Sequence, residues 1–273
     1  MKERGWFEMT NYPRLIAAMI TPFNDDMGVD YEGAQKLALS LLEAGNEGLV
    51  VTGTTGESPT LSKQEKLDLY KAVKEAVGSK GWVIAGTGSN STADSITLTR
   101  EAEKVGVDGL MAVTPYYNKP NPEGLYRHFK AIAEATSLPV ILYNVPGRTG
   151  LNMLPETAAR LSETANIVAI KEASGVMDQV SAIRTLTPKE FLIYSGDDSL
   201  TLPILAIGGY GVISVASHVV AREMSRMIYA YLDGKIEEAS LLHQRLFPVF
   251  KAMFVTTNPI PVKKAVSLLG LPA

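Results

Sequence analysis

A lysine at the end of an otherwise apolar segment is the residue most suited to chemistry in this sequence. The segment IVAIKEAS covers residues 167–174, and its first four residues are typical of a buried strand. An ammonium group in such surroundings is solvated, paired with a carboxylate or partly neutralised. Burial disfavours the charged form and can bring the pKa of a lysine from about 10.4 to about 7–8. A neutral amine at a rigid strand end can attack a carbonyl and form a Schiff base, so Lys171 is the candidate nucleophile.

A structural role for Lys171 stays open on these residues alone. Its ammonium group could pair with the carboxylate of Glu172 or Asp197, or it could extend outward into water. The residues around the other strand ends favour chemistry instead.

Several of those residues suit a reaction of a keto acid. Tyr143 ends another apolar run, and a phenol there can move protons to and from a carbinolamine or an enamine. Arg148 follows a Pro-Gly turn, and its planar guanidinium is suited to gripping a carboxylate. The loop GTTGES (53–58) offers the hydroxyls of Thr54 and Thr55 and glycines that let backbone N–H groups approach an anion. No Gly-Lys-Ser/Thr follows, so this loop is not a nucleotide-binding P-loop.

The chain must position these residues with a repeated strand–helix unit. Near-continuous apolar runs, each followed by an amphipathic segment, indicate a parallel sheet covered by helices. The runs are LIAAMI (15–20), GLVVTG (48–53), WVIAGT (82–87), GLMAV (109–113), VILYNV (140–145), IVAIK (167–171), FLIYSG (191–196) and GVISV (211–215). Eight units favour a closed α/β (βα)8 TIM barrel over an open doubly wound sheet, with function at the C-terminal strand ends. Residues 1–216 are expected to form the barrel and 217–273 a C-terminal helical segment with helices near 217–233, 236–255 and 261–269.

Composition excludes several classes of function. The chain has 273 residues, 46% of them hydrophobic, a formal charge of −3 and no cysteine. Thiol nucleophiles, disulfides and thiolate metal sites are therefore excluded, and no basic block suggests a nucleic acid partner. The first 15 residues lack the apolar core of a signal peptide, and the uncharged stretch 199–217 is interrupted by proline and glycines. We expect a cytoplasmic protein with no membrane partner. His128, His218 and His243 lie far apart in helical segments, which favours solvated or structural roles over a metal site.

Six motifs together resemble the dihydrodipicolinate synthase family, which is of the class I aldolase type. They are GTTGES, TPYYNKP, YNVPGRTG, IKEASG, SGDD and GVISV, and the similarity extends from about Leu15 to about Leu269 through NPIPVK (258–263). The resemblance implies that pyruvate forms an imine with a lysine and then condenses with L-aspartate 4-semialdehyde, on the route to lysine and diaminopimelate. It implies an imine on Lys171 and a proton relay formed by Tyr143, Thr54 and Tyr117. In this family the equivalent of Tyr117 reaches into the neighbouring subunit's site.

The resemblance also implies the binding residues and the partners. Thr55 would help to bind the pyruvate carboxylate, Arg148 the semialdehyde carboxylate, and backbone groups of Gly196 and Ile213 would line the pocket. The family works without a metal or organic cofactor, usually as a homotetramer of tight dimers. This chain ends at Leu-Pro-Ala, where family members generally continue, so a homodimer stays an alternative.

One part of the family pattern is altered. Feedback-inhibited members bind lysine at a dimer interface, and the corresponding positions here that keep polar character are Ser58, Asn90, Asp94 and Tyr116. Pro59 follows Ser58, and Lys63 and Lys66 stand where histidines are found in those members. Two ammonium groups there would repel a cationic ligand, so we expect weak or absent inhibition by lysine.

Other functions are less well supported by these residues. A sister aldolase, such as N-acetylneuraminate lyase or a 2-keto-3-deoxy-sugar-acid aldolase, shares the lysine and tyrosine. The threonine pair and the arginine of PGRTG favour the synthase. A barrel glycosidase would use Glu57, Glu172 or Asp197 and would leave Lys171 and Arg148 unexplained. A catalytically inactive binding protein is the third alternative.

Overall fold

The computed structural model describes residues 12–273, and in it eight parallel strands close into a barrel in sequence order. The closed barrel confirms the predicted fold class and excludes the open sheet. Each predicted run forms a strand, and each strand ends within two residues of its predicted end. The strands are β1 Leu15–Ala18, β2 Gly48–Val51, β3 Trp82–Gly86, β4 Gly109–Val113, β5 Val140–Asn144, β6 Ile167–Glu172, β7 Leu192–Ser195 and β8 Gly211–Ser214.

Helices follow the strands and cover the outside of the barrel. Local sequence sets their ends, as α2 shows: the Ser62 hydroxyl accepts from Glu65 N while the Glu65 carboxylate accepts from Ser62 N, and Gly78 ends the helix. The helices are α1 Tyr31–Glu43, α2 Lys63–Val77, α3 Thr92–Val105, α4 Pro122–Ala133, α5 Pro146–Thr149, α6 Pro155–Ser162, α7 Met177–Leu186, α8 Thr201–Ala206, α9 Ser217–Leu232, α10 Ile236–Ala252 and α11 Ile260–Leu268.

The strands divide the apolar core into two layers because successive side chains point to opposite faces of a strand. One layer fills the barrel and includes Ile16, Val50, Ala169 and Ile213, together with Tyr143. The second layer lies between the strands and the surrounding helices. Lys171 is two residues beyond Ala169 on β6, so its side chain belongs to the inner face of the barrel.

The C-terminal part of the chain is helical, as predicted, with α9, α10 and α11 at the expected places. Buried residues of these helices, such as Met224, Phe250 and Val262, share one apolar cluster with the outer face of the barrel strands. The division of the chain into a barrel domain (1–216) and a C-terminal segment (217–273) stays a prediction. Residues 1–11 of the predicted barrel domain lie outside the part of the chain that the structure describes. The uncharged stretch 199–217 forms α8 and β8, and no helix among the described residues is long and apolar enough to cross a membrane.

Candidate active site

Lys171 and Tyr143 face each other across two neighbouring strands. They are paired in the register of β5 and β6, so their side chains leave the sheet at the same height on the same face. The Lys171 Nζ lies 4.4 Å from the centroid of the Tyr143 ring. Both side chains are 5% exposed. The barrel therefore holds an amine against a phenol in a largely dry environment.

The two carboxylates suggested as structural partners of Lys171 are engaged elsewhere. Glu172 is the next residue on β6, and its carboxylate accepts hydrogen bonds from Asn144 Nδ2 at 3.0 Å, Gln179 Nε2 at 3.1 Å and Ser174 N at 2.6 Å. Asp197 accepts from the backbone N and the hydroxyl of Ser199, both at 2.9 Å. Neither forms a salt bridge with Lys171 within residues 12–273.

Burial lowers the pKa of Lys171 to about 8, and the positive charge of Arg148 acts in the same direction. The negative charge of Asp198 opposes this change. Asp198 is 1% exposed, and its Oδ2 accepts from the backbone N–H groups of Val215 at 3.2 Å and Ala216 at 2.9 Å. Burial raises the pKa of Asp198 itself to about 6. A partly neutral amine near pH 8 is what attack on a carbonyl requires.

Tyr143 lines the same cavity as the GTTGES loop. Burial raises the pKa of Tyr143, while a side-chain hydrogen bond with Thr54 and the charge of Arg148 oppose the rise. The phenol therefore stays protonated and can donate to an oxygen or nitrogen of a substrate bound near Lys171. Thr54 and Tyr143 both line one cavity of about 270 Å³ at the C-terminal ends of the strands.

The cavity defines which predicted residues lie together. Predicted site residues in its wall are Thr54, Ser58, Tyr116, Tyr143 and Arg148. Lys171 does not line this cavity but lies against the Tyr143 ring, and Ile213 is fully buried in the same inner layer as Tyr143. Gly196 N donates to Glu172 O at 2.7 Å, and a Cβ at Gly196 would lie 2.6 Å from that of Ala173. A side chain at position 196 would therefore disturb the strand end that carries Lys171.

A residue from the C-terminal segment connects two of the predicted binding groups. Asn258 Nδ2 donates to Thr55 Oγ1 at 2.9 Å, and Asn258 O accepts from Arg148 Nη2 at 2.9 Å. Thr55 and Asn258 are 3% and 5% exposed. Sequence reasoning assigned no role to Asn258, because its partners lie 203 and 110 positions away. Its place in NPIPVK was the only available signal.

A lysine of α11 also holds the GTTGES loop, and the sequence analysis assigned no role to this lysine. Lys263 Nζ donates to Glu57 Oε1 at 3.0 Å and to Thr21 O at 3.1 Å, and it lies 4.4 Å from the centre of the Phe23 ring. Thr21 Oγ1 in turn donates to Gly56 O at 2.7 Å. The loop after β2 is therefore held from both sides, by the segment after β1 and by α11.

Tyr117 lies apart from Lys171 in this chain. Its side chain is 86% exposed, and its backbone adopts the left-handed region with φ of 68°. It does not line the cavity that Tyr116 lines. A role in the proton relay thus needs a second copy of the chain, and that role stays a prediction.

The residues predicted to form a lysine-effector site do not all lie together in the structure. Ser58, Tyr116 and Lys66 line the cavity, whereas Asp94 is exposed at the start of α3. Asn90 O accepts from Asn118 Nδ2 at 2.7 Å. Burial lowers the pKa of Lys66. Lys63 is on the surface and pairs with Glu101 at 3.2 Å.

The histidines hold structural positions in the described chain. His218 Nε2 accepts from Ile20 N at 3.2 Å, and its Nδ1 donates to Val215 O at 2.8 Å. His128 Nδ1 bonds the Thr92 hydroxyl at 2.8 Å. Within residues 12–273, no three histidine, aspartate or glutamate side chains form a cluster that could hold a metal ion.

Comparison with known proteins gives one consistent result. Residues 11–273 match the dihydrodipicolinate synthetase family. A 4-hydroxy-tetrahydrodipicolinate synthase of Moorella thermoacetica is 59% identical over 95% of this chain and 89% of its own length. One from a Cyanothece species is 58% identical over 96% of this chain and 90% of its own length. The crystal structure of a dihydrodipicolinate synthase from Bacillus anthracis, 49% identical, superimposes with a TM-score of 0.93 over 96% of this chain and 90% of that one. A structure from Cyanidioschyzon merolae with lysine bound, 50% identical, gives a TM-score of 0.93 over 95% and 89%.

Proposed function

The chain belongs to the dihydrodipicolinate synthetase family, and we propose that it is a 4-hydroxy-tetrahydrodipicolinate synthase. It condenses pyruvate with L-aspartate 4-semialdehyde, a step of lysine and diaminopimelate biosynthesis. The observation that carries the proposal is the buried Lys171 amine, with a pKa of about 8, placed 4.4 Å from the centre of the Tyr143 ring.

The first half of the reaction forms an enamine on Lys171. The neutral amine attacks C2 of pyruvate, and the resulting carbinolamine loses water to give an imine. Loss of a proton from C3 then gives the enamine. Tyr143 and Thr54 line the same cavity and can pass the protons that these steps consume and release. The imine is positively charged near neutral pH, and the negative charge of Asp198 stabilises a cation at this position.

The second half closes the ring and frees the lysine. C3 of the enamine attacks the aldehyde carbon of the semialdehyde, and the alkoxide that forms takes up a proton. The amino group of the semialdehyde then attacks the imine carbon, and the Lys171 nitrogen leaves as an amine. Thr55 and Arg148 are proposed to hold the pyruvate and semialdehyde carboxylates. Both lie at the mouth of the barrel, joined by Asn258.

The competing functions have less support. Curated relatives at 56–59% identity carry the synthase name, which favours it over a sister aldolase. A glycosidase would need two available carboxylates, but Glu172 is 2% exposed with its oxygens hydrogen-bonded, and Glu57 is paired with Lys263.

The oligomeric state is part of the proposal. We propose a homodimer or homotetramer, because Tyr117 is 86% exposed and does not line the cavity of its own chain, so its expected role in the proton relay needs a second copy. Tyr117→Phe should lower kcat at unchanged oligomer mass in sedimentation experiments. An active wild-type monomer would contradict this part. A cytoplasmic location also stays a prediction.

The proposed imine can be tested by trapping. Purified enzyme treated with pyruvate and borohydride should carry one stable adduct on Lys171, found by peptide mass mapping. Lys171→Met should carry no adduct. Lys66→Met, which changes a lysine in the cavity wall, should keep the adduct. An adduct elsewhere, or none in the wild type, would refute the imine step. Activity with pyruvate and N-acetylmannosamine in place of the semialdehyde would point to a sister aldolase.

A further inference from the structure

Asn258 contacts both side chains that the proposed function assigns to carboxylate binding. Its amide nitrogen lies 2.9 Å from Thr55 Oγ1, and its backbone oxygen lies 2.9 Å from Arg148 Nη2. Asn258 is 5% exposed, so these bonds are shielded from competition with water. The residue precedes α11 and reaches the mouth of the barrel from the C-terminal segment.

The direction of the Thr55 hydrogen bond determines what Thr55 can do. A threonine hydroxyl has one hydrogen to donate and lone pairs that accept. Because Asn258 Nδ2 is the donor, the hydrogen of the Thr55 hydroxyl is not used in this contact. Within residues 12–273, the Thr55 hydroxyl donates no hydrogen bond of its own. The amide oxygen of Asn258 has no partner among the same residues, so Thr55 is the only side chain that the amide engages.

We propose that Asn258 is a positioning residue that fixes Thr55 as a hydrogen-bond donor toward the carboxylate of pyruvate. A carboxylate only accepts hydrogen bonds, and a hydroxyl whose hydrogen is directed elsewhere presents it with a repulsive lone pair. Asn258 occupies the acceptor side of Thr55 and leaves the donor side for the substrate. This inference rests on the proposed function, since it needs Thr55 to bind an anion.

Replacing Asn258 with aspartate tests the direction of the hydrogen bond to Thr55 with little change in the shape of the side chain. In Asn258→Asp the donor becomes an acceptor, and the Thr55 hydroxyl then donates to residue 258 instead of to pyruvate. The pyruvate KM should rise roughly 10- to 100-fold, the loss that corresponds to one hydrogen bond to a charged group, with a smaller change in kcat. Asn258→Ala leaves the Thr55 hydrogen free and should raise KM less.

The added charge of the aspartate needs its own control. In a Thr55→Val background, Asn258→Asp should raise KM only by the part due to charge repulsion, and added salt should reduce that part. If Asn258→Asp raised the pyruvate KM equally with and without the Thr55 hydroxyl, the inference would be overturned. So would a larger effect of Asn258→Ala than of Asn258→Asp, since the asparagine would then act only by filling space.

Borohydride trapping separates this inference from the proposed function. Asn258→Asp at saturating pyruvate should still give the Lys171 adduct, which shows a folded and competent site. If the wild type gives the adduct and Asn258→Asp leaves KM unchanged, the inference alone is wrong. If the wild type gives no adduct, the proposed function fails and the inference fails with it.

Discussion

The rate at which Lys171 captures pyruvate should follow the ionisation of an amine with a pKa of about 8. At pH 7.4 such an amine is neutral about one fifth of the time, against about one part in a thousand for an ordinary lysine. Holding the protonated form in the folded protein costs about 3 kcal/mol, from the change between 10.5 and about 8. Capture should therefore rise through pH 8 and level off near pH 9.

The assay is single-turnover trapping of pyruvate with borohydride between pH 6 and 9.5, with the adduct measured by mass spectrometry. Asp198→Asn should move the profile to lower pH, because the negative charge of Asp198 raises the pKa of Lys171. Asp197→Asn is the matched control, since the carboxylate of Asp197 caps Ser199. A wild-type rate that still rises tenfold per pH unit above pH 9 would show that the pKa of Lys171 is not lowered.

The same shift in the pKa of Lys171 has a consequence for stability. Between pH 8 and 10.5 the unfolded lysine binds more protons than the folded one, so the free energy of unfolding rises with pH in this window. Compared with Lys171→Met, the wild type should gain about 2 kcal/mol of stability between pH 7 and 9.5. Urea unfolding of both proteins at the two pH values measures this. A constant difference between them would show that burial does not change the pKa of Lys171.

Three further predictions concern contacts around the site. Lys263→Met should loosen the GTTGES loop. A double-mutant cycle with Glu57→Gln should show a coupling of about 1 kcal/mol in the free energy of unfolding for this half-buried pair, and a coupling near zero would contradict the contact. Free lysine at millimolar concentration should leave the initial rate nearly unchanged, and calorimetry should show that Lys66→Met binds lysine more tightly than the wild type. Half-maximal inhibition of the wild type below roughly 1 mM lysine would contradict this prediction. His218 is held neutral by burial with a pKa of about 4, so acidification from pH 6.5 to 4 should cost about 2.5 kcal/mol of stability that His218→Gln does not lose. Equal acid sensitivity in urea unfolding of the two proteins would count against that assignment.

The barrel and its strand ends could be predicted from local patterns in the sequence. Apolar runs and helix caps are local signals, because a buried parallel strand needs apolar side chains on both faces and a helix end needs partners for its free N–H groups. Tyr143 and Lys171 lie near the C-terminal ends of such runs and Arg148 lies just beyond one, so their place at the mouth of the barrel could be predicted. The carboxylate that acts on Lys171 could not be predicted, because Asp197 and Asp198 are adjacent in the sequence. They are told apart by the burial of Asp198 in the folded chain.

The contacts between distant segments of the chain follow from the tertiary structure. Asn258 bonds Thr55 from 203 positions away, and Lys263 bonds Glu57 from 206 positions away. Closure of the barrel brings these segments together, and no periodicity or motif in one segment encodes its partner in the other. The low pKa of Lys171 is likewise a tertiary property, because it depends on how much water the surrounding strands exclude. The sequence thus names the amine, and the folded barrel makes it reactive.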